Sequence, residues 1–318
     1  MPFLAVVLAA VCFGTTGTAQ AFGPADASAG SIGAARILIG GALLAVIALV
    51  LRLRRIRTPG AGPEPEPAQR EAGATAPRAL AVRRAPSWLL VGVGAAGVLA
   101  YQPAFFAGTA QNGVAVGTVV ALGSAPVITG LLDWGLHRRF PGTRWLVATV
   151  VATVGVVLIS GLIGASGAGA AGVSPLGLLA SVGAGASYAV YTLAGKALLD
   201  RGWNPGSAMG AVFGAAAAGS IPLLLLSDTG WLLTGPGLAM ALWLGVVTTA
   251  VAYLLFGWGL KRLPASTVST LTLTEPLTAT LLGTIVLGEV LAPAAVLGLL
   301  VLAAGLVLLT LPRRRAIA

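Results

Sequence analysis

One stretch of the sequence, TLTLTEPLTATLLG from Thr270 to Gly283, places an acid, Glu275, inside an apolar segment. A carboxylate in such a segment can bind a cationic or amino group of a ligand, or it can carry a proton across the membrane. The alternative is a protonated or hydrogen-bonded carboxyl that only fixes helix packing. The sequence therefore marks Glu275 as the first candidate for a substrate or coupling site.

The next residue is a proline, Pro276. Proline has no backbone N–H, so it cannot donate a hydrogen bond to the carbonyl of Thr272. A free carbonyl must face protein or a wet cavity, because lipid offers it no partner. Thr270, Thr274 and Thr278 recur every four residues on one helix face. We expect the acid, the free carbonyl and these threonines, Thr274 above all, to form one polar site.

The composition identifies the elements that must hold this site. The chain has 318 residues, of which 57% are hydrophobic and 9% charged, whereas soluble domains are about 25% charged. Apolar runs of ~20 residues recur, which is the length a helix needs to cross a ~30 Å hydrocarbon core. The sequence predicts an all-α polytopic membrane protein with ten transmembrane helices, at about 2–22, 30–51, 88–108, 114–136, 145–163, 175–196, 206–226, 237–260, 265–287 and 292–311.

Two prolines fall at similar depths in two of these spans. Glu275 and Pro276 lie about ten residues into the ninth span, which is ~15 Å deep at ~1.5 Å per residue. Pro126 lies at a comparable depth in the fourth span. The pair can act as hinges, one in each half of the chain. The alternative is that both only shape packing, since proline is common in membrane helices.

Four tyrosines and one arginine also fall within spans: Tyr101, Tyr188, Tyr191, Tyr253 and Arg36. A buried phenol needs a hydrogen-bond partner. With Gln102 and Thr249 nearby in sequence, the tyrosines are expected to line a central cavity; the alternative is hydrogen bonding between helices. Arg36 lies in the outer third of its span, where it can contact a substrate carboxylate or extend to the outer headgroups.

The basic residues indicate how the chain is oriented. Every Lys and Arg except Arg36 falls in the 2–3, 4–5, 6–7 and 8–9 connections or in the C-terminal tail. The positive-inside rule then places both termini in the cytoplasm, and we expect the plasma (inner) membrane. Residues 52–87 are rich in proline and arginine and should form a disordered cytoplasmic loop, and 312–318 a basic tail. The net charge of +10 therefore reflects topology and not nucleic-acid binding.

A weak internal repeat divides the chain into two halves. A shift of 150 residues places Pro126 on Pro276 and Gly155 on Gly305 without a gap. Five spans per half is an odd number, so the second half must enter the membrane inverted. The sequence predicts one five-helix repeat at 1–163 and an inverted one at 175–311, an architecture of secondary transporters with the substrate site between the halves.

The segment LPASTVSTLTLTEPLTATLLGTIVLGEVL, Leu263 to Leu291, resembles the ninth helix of the drug/metabolite transporter superfamily, specifically the EamA-type permeases. The first-half counterpart keeps Pro126 but has Arg139 where Glu289 stands. The resemblance covers nearly the whole chain apart from the 52–87 loop. It implies export or exchange of small metabolites, often amino acids.

The sequence thus favours a secondary transporter that works by alternating access. No nucleotide-binding signature is present, so an ion gradient is the simpler driving force, with protons the first candidate. The alternatives are a non-transporting membrane sensor or scaffold and a membrane-embedded enzyme, which would need a His, Cys or paired-acid constellation at one depth. With one cysteine, Cys12, and one histidine, His137, we expect no catalysis, cofactor or metal. The expected partners are a small-molecule substrate, the lipid bilayer and protons.

Overall fold

The computed structural model describes residues 1–57, 85–160 and 174–311. Most of the predicted loop 52–87, the end of the predicted fifth span and the tail 312–318 lie outside the described residues. The helices are α1 (Pro2–Ala21), α2 (Ala29–Arg57), α3 (Ser87–Val114), α4 (Val116–His137), α5 (Thr143–Ile159), α6 (Pro175–Asp200), α7 (Pro205–Leu225), α8 (Gly235–Leu260), α9 (Ala265–Leu287) and α10 (Pro293–Thr310), with a short 3₁₀ turn at Gly230–Leu233.

These helices confirm the all-α polytopic membrane class. Within the described ranges, nine of them are long and apolar enough to cross a bilayer, and α5 is a further apolar helix of 17 residues. Many large apolar side chains are exposed on their outer surfaces, among them Leu49, Leu179 and Leu300. In water such a surface would drive aggregation, whereas lipid solvates it.

The predicted third and fourth spans form one continuous helical run that changes direction at Gly113. Its backbone has φ 80° and ψ 156°, a region that is essentially restricted to glycine. Three helices, α6, α7 and α8, begin with sequence-encoded caps. Ser174, Asn204 and Thr234 each accept a hydrogen bond from the backbone N–H three residues later, and a proline follows in the first turn of each helix.

The helices pack in a regular set of pairs. α2 packs along α7, and α5 packs along α10. α1 lies against α8 and α9, while α6 lies against α3 and α4. Glycines allow the closest approaches: a Cβ added to Gly155 of α5 would lie 2.5 Å from the backbone nitrogen of Leu302 in α10.

Candidate functional site

α9 is broken where its sequence combines threonines with the acid and the proline. It consists of two helical parts, Ala265–Leu271 and Thr274–Leu287. Between them, the N–H groups of Leu273 and Glu275 donate to the carbonyls of Thr270 and Thr272, at 3.1 and 2.9 Å. The chain therefore tightens to three-residue turns before Pro276. The prediction of a free Thr272 carbonyl is wrong, because the Glu275 N–H donates to it.

Two threonine hydroxyls satisfy carbonyls that this break would otherwise leave without partners. The Thr272 hydroxyl donates to the carbonyl of Ser269 at 2.7 Å, and the Thr274 hydroxyl donates to the carbonyl of Leu271 at 2.8 Å. Such side-chain bonds compete with the regular helical ladder and stabilise non-helical turns. Thr274 is buried and supports the break.

The face of α9 that carries Thr270 packs against another helix. The Thr270 hydroxyl lies 2.8 Å from that of Thr149 in α5 and accepts a hydrogen bond from the indole N–H of Trp145 at 3.1 Å. The threonines that share one face in the sequence are thus divided between packing with α5 and the turns of the break.

Glu275 lies in the first turn of the second half of α9. The N-terminal end of a helix carries partial positive charge, which favours a carboxylate there. Its side chain lines a cavity of about 60 Å³. The cavity is further lined by Phe13, Arg36, Tyr101, Ala121, Leu122, Ala125, Tyr188, Tyr191, Tyr253, Thr272 and Leu273. The structure therefore brings the acid, the arginine and the four tyrosines of the sequence analysis together.

The tyrosines combine the two roles between which the sequence left a choice. They line the cavity, and three of them also hydrogen-bond between helices. The hydroxyl of Tyr188 in α6 lies 3.0 Å from that of Thr272 in α9, and the hydroxyls of Tyr191 in α6 and Tyr253 in α8 lie 3.0 Å apart. Tyr101 stacks on Phe105, with ring centroids 5.9 Å apart. These contacts tie α6, α8 and α9 together around Glu275.

Arg36 points into the protein. Its Nε donates to the hydroxyl of Thr249 at 3.1 Å, and its Nη2 donates to the carbonyl of Thr248 at 3.3 Å. Both acceptors lie in a π-helical segment of α8, Trp243–Val251, a geometry that often marks functional sites. Arg36 and Glu275 face one cavity without an ion pair between them. The guanidinium is thus held inside the protein by α8, and contact with a substrate stays a prediction.

Several residues named from the sequence lie away from the cavity lining. Gln102 lines a separate cavity of about 180 Å³ beside Gly33 and Ser220. Thr249 orients Arg36, and its hydroxyl also donates to the carbonyl of Leu244. Pro276 is buried just after the break, and Pro126 lies within the uninterrupted helix α4.

The sequence analysis did not name Phe13 or the α4 residues Leu122 and Ala125, and it named Thr272 only for its carbonyl and not for its side chain. The 150-residue shift already contained a signal for the two α4 residues, because it places Leu122 on Thr272 and Ala125 on Glu275. Phe13 has no such signal, since one more phenylalanine in an apolar helix is unremarkable.

The arrangement suits binding and proton carriage. A carboxyl, a guanidinium and several phenols surround a small space, so a ligand with an amino or carboxylate group has complementary partners. Among the described residues, no group of three His, Cys, Asp or Glu side chains could hold a metal ion.

Most of the chain matches a transporter family, and two relatives align with it over different lengths. The chain matches the sequence model of the EamA-like transporter family over residues 1–161 and 175–311. It is 36% identical over 312 residues to a Bacillus subtilis protein named "Uncharacterized transporter YwfM". This alignment covers 98% of this chain and 94% of the relative. A Pseudomonas aeruginosa protein named "Uncharacterized protein PA1977" is 32% identical over 222 residues, 69% of this chain and 73% of the relative.

A crystal structure with 18% sequence identity superposes with a TM-score of 0.71 and covers 97% of both chains, which shows a shared fold. The family match spans both halves of the chain, and the Bacillus relative aligns over nearly its whole length. Together they agree with the apolar helices and with the resemblance seen in α9. This integral membrane protein belongs to the EamA-like transporter family, part of the drug/metabolite transporter superfamily, and has a transporter role.

Proposed function

We propose that the protein is a secondary active transporter that exports or exchanges small metabolites, amino acids among them, by alternating access. Glu275 binds the amino or cationic group of the substrate or carries the coupling proton. One observation carries the proposal: the acid lies at a helix break and faces a small cavity that Arg36 also lines. Broken helices at mid-membrane sites are typical of ion-coupled transporters.

The size of the cavity indicates which conformational state of the transport cycle this structure resembles. Its volume of about 60 Å³ is far below the ~300–1,000 Å³ of pockets that hold small molecules. A substrate therefore fits only after the surrounding helices separate. The hydrogen bonds between α6 and the helices α8 and α9 must open for this, and the break in α9 is the natural hinge, with Pro276 beside it. We propose that the structure corresponds to an occluded, substrate-free state.

The moving bodies are proposed to be two inverted repeats, at residues 1–163 and 175–311. The contact pattern supports this arrangement. If a two-fold axis relates α1–α5 to α6–α10, the packing of α1 on α8 and α9 must recur as packing of α6 on α3 and α4, which it does. The α2–α7 and α5–α10 pairs would then lie on the axis itself.

The distribution of basic residues supports an orientation with both termini in the cytoplasm, in the plasma (inner) membrane. Exposed Arg138 and Arg139 follow α4, and Lys261 and Arg262 follow α8. In the proposed topology both connections face the cytoplasm. In this orientation Arg36 lies towards the outer side of the membrane and the Pro264 end of α9 towards the cytoplasm.

The test uses proteoliposomes loaded with a pH-sensitive dye and a panel of amino acids and small cationic metabolites. We expect a substrate-dependent proton flux in the wild-type protein and its loss in Glu275→Gln. The matched control is Glu289→Gln, because Glu289 is an exposed acid at the far end of the same helix; its flux should equal that of the wild type. Uptake without proton flux, unchanged in Glu275→Gln, would contradict the role of Glu275. No substrate movement across the panel would favour the sensor or scaffold instead.

A further inference from the structure

A cavity of about 180 Å³ lies between α2, α3 and α7, beside the central cavity. Neighbouring residues of two helices face the two cavities. Arg36 and Tyr101 line the central cavity, whereas Ile37 and Gln102 line this one. It also reaches Ser227, just after the end of α7. In the proposed topology that end of α7 faces the outer side of the membrane, so we call this space the outer cavity.

A row of aromatic rings on α3 extends from one cavity to the other. The ring of Tyr101 stacks on that of Phe105, with centroids 5.9 Å apart, and Phe105 meets Phe106 edge to face at 5.7 Å. Phe106 lines the outer cavity. The faces of such rings attract a cationic group, and their edges carry the opposite partial charge. The row therefore provides a continuous surface along which a small solute with both charges can pass.

The polar lining of the outer cavity is concentrated in the Gln102 amide. The hydroxyls of Ser220 and Ser227 donate to carbonyls of their own segment. Among the described residues, none forms a hydrogen bond with the Gln102 amide. The amide lies against α2, where an added Cβ at Gly33 would come within 3.3 Å of the Gln102 Cδ. A glutamine amide both donates and accepts, so it has a complementary group for an ammonium and for a carboxylate.

The size and charge of the outer cavity restrict its occupant. A cavity of ~150 Å³ can hold a benzene molecule, so about 180 Å³ admits a solute of similar size. The central cavity, at about 60 Å³, does not admit it before the helices separate. No charged side chain lines the outer cavity within the described part of the chain, which disfavours a solute with net charge. The central cavity has one carboxyl and one guanidinium, so a small zwitterion suits both cavities.

We propose that the outer cavity is a staging subsite for a small neutral amino acid, of about the size of alanine. The Gln102 amide binds the ammonium or carboxylate group of this amino acid, and Gly33 leaves the room that the amide needs beside α2. When the central cavity widens, the amino acid moves along the row of aromatic rings to the central cavity. This passage rests on the proposed transport function, whereas occupancy of the outer cavity does not.

The test measures how fast a thiol in the outer cavity reacts with 2-aminoethyl methanethiosulfonate, by intact mass spectrometry of the full-length protein in lipid nanodiscs. Cys12→Ala first removes the single cysteine of the chain, and Ser220→Cys then places a thiol in the cavity wall. The matched reporter is Ile221→Cys, because Ile221 is the next residue of α7 and is exposed. The thiolate is the reacting form and hardly forms in lipid, so Ser220→Cys should react roughly tenfold faster or more. L-Alanine should slow this reaction several-fold.

Further variants of the Ser220→Cys reporter assign this protection to the amide. Gln102→Leu keeps the approximate size of the side chain and should abolish protection by L-alanine. Gln111→Leu should leave it unchanged, because Gln111 lies near the end of the same helix and accepts from the Ser174 hydroxyl at 2.8 Å. Gly33→Ala places a methyl group against the amide and should weaken the protection. L-Tryptophan, which is too large for the cavity, should not protect.

Equal labelling of Ser220→Cys and Ile221→Cys would overturn the proposal, because a hydrated subsite would then be absent. Labelling that L-alanine does not slow, or protection that persists in Gln102→Leu, would contradict it as well. Protection by L-alanine in a protein that moves no solute of the transport panel would support the subsite and contradict the proposed transport function. Transport of L-alanine without protection would contradict the subsite alone.

Discussion

The helices α4 and α9 carry a proline at corresponding positions, and only one of them breaks. Around Pro126 α4 stays helical, whereas α9 breaks at Thr272–Leu273 before Pro276. Both helices contain the same side-chain hydrogen bond just before the proline. The Ser124 hydroxyl donates to the carbonyl of Ala121 at 3.2 Å, and the Thr274 hydroxyl donates to the carbonyl of Leu271. A proline and a preceding hydroxyl are therefore insufficient to break a helix in this protein.

Two of the positions at which the helices differ line the cavity. α9 has Thr272 and Glu275 where α4 has Leu122 and Ala125. All four line the central cavity, so the α9 part of the lining is polar and the α4 part is apolar. The Thr272 hydroxyl serves both the Ser269 carbonyl and the Tyr188 hydroxyl, which links the break to α6. Of these two helices, only α9 therefore supplies polar groups to the cavity.

The largest effect on transport is expected from removing the acid from α9 and placing it on α4. Glu275→Ala should lower transport about 10–100-fold, because charged hydrogen bonds contribute ~1.5–3 kcal/mol. Adding Ala125→Glu should not restore it, since Ala125 lies within a continuous helix and lacks the helix N-terminus that favours a carboxylate. Initial rates in proteoliposomes measure both; restored transport in the double variant would show the two positions to be equivalent.

A smaller effect is expected from removing the hydroxyl that distinguishes the break. Thr272→Val keeps the shape of the side chain but leaves the Ser269 carbonyl and the Tyr188 hydroxyl without this partner. Leaving buried polar groups unpaired costs ~1–3 kcal/mol, so the melting temperature should fall and transport should drop several-fold. Tyr188→Phe together with Thr272→Val should be less harmful than the sum of the single changes, because both partners are then removed. Additive losses would argue against this coupling.

The two prolines should respond differently to replacement. Pro276→Ala restores a backbone N–H beside the break, which favours a straight helix and should slow transport several-fold. Pro126→Ala adds a donor to a helix that is already continuous, so transport should stay unchanged and the melting temperature should stay equal or rise. Initial rates and thermal unfolding separate the two, and equal losses of transport would indicate matched hinges instead.

The smallest effect should come from the hydroxyl that both helices share. Ser124→Ala removes one bond to a carbonyl in an intact helix, worth ~0.5–1.5 kcal/mol at most, and should change transport less than twofold. Thr274→Val removes the equivalent bond at the break and should cost more. If Ser124→Ala were the worse of the two in thermal unfolding, the hydroxyl would matter more to α4 than to α9.

The sequence predicted the helices and much of the cavity for physical reasons. Apolar runs and breaker residues are local features, so most span ends agree with the helix ends to within a few residues, while α2 and α3 extend about six residues further than predicted. Charged residues and tyrosines are rare in this chain. Within the membrane, Glu275 and the four tyrosines find polar partners mainly in a shared interior. Gln102 shows the limit of this reasoning, because one position along a helix turns a side chain by ~100° and Gln102 faces a different cavity from Tyr101.

Other features depend on contacts that one chain segment cannot reveal. The direction of Arg36 depends on the carbonyl of Thr248, which belongs to a helix more than 200 residues away. Whether the Thr272 carbonyl accepts a hydrogen bond depends on whether the chain before Pro276 forms a tighter turn or opens. Both conformations are compatible with a proline that has no N–H. The sequence restricts these outcomes without choosing between them.

The π-helical segment of α8 has a consequence for the phase of that helix. A residue added to an ordinary α-helix rotates everything beyond it by ~100°, whereas a wider turn absorbs the extra residue. Trp243–Val251 lets α8 present Thr248 to Arg36 and, further along, Tyr253 to Tyr191 on compatible faces. Deleting one residue from this segment would favour ordinary α-helix at the cost of that alignment. The number of residues in α8 is therefore set by the rotation that aligns these side chains as well as by the thickness of the bilayer.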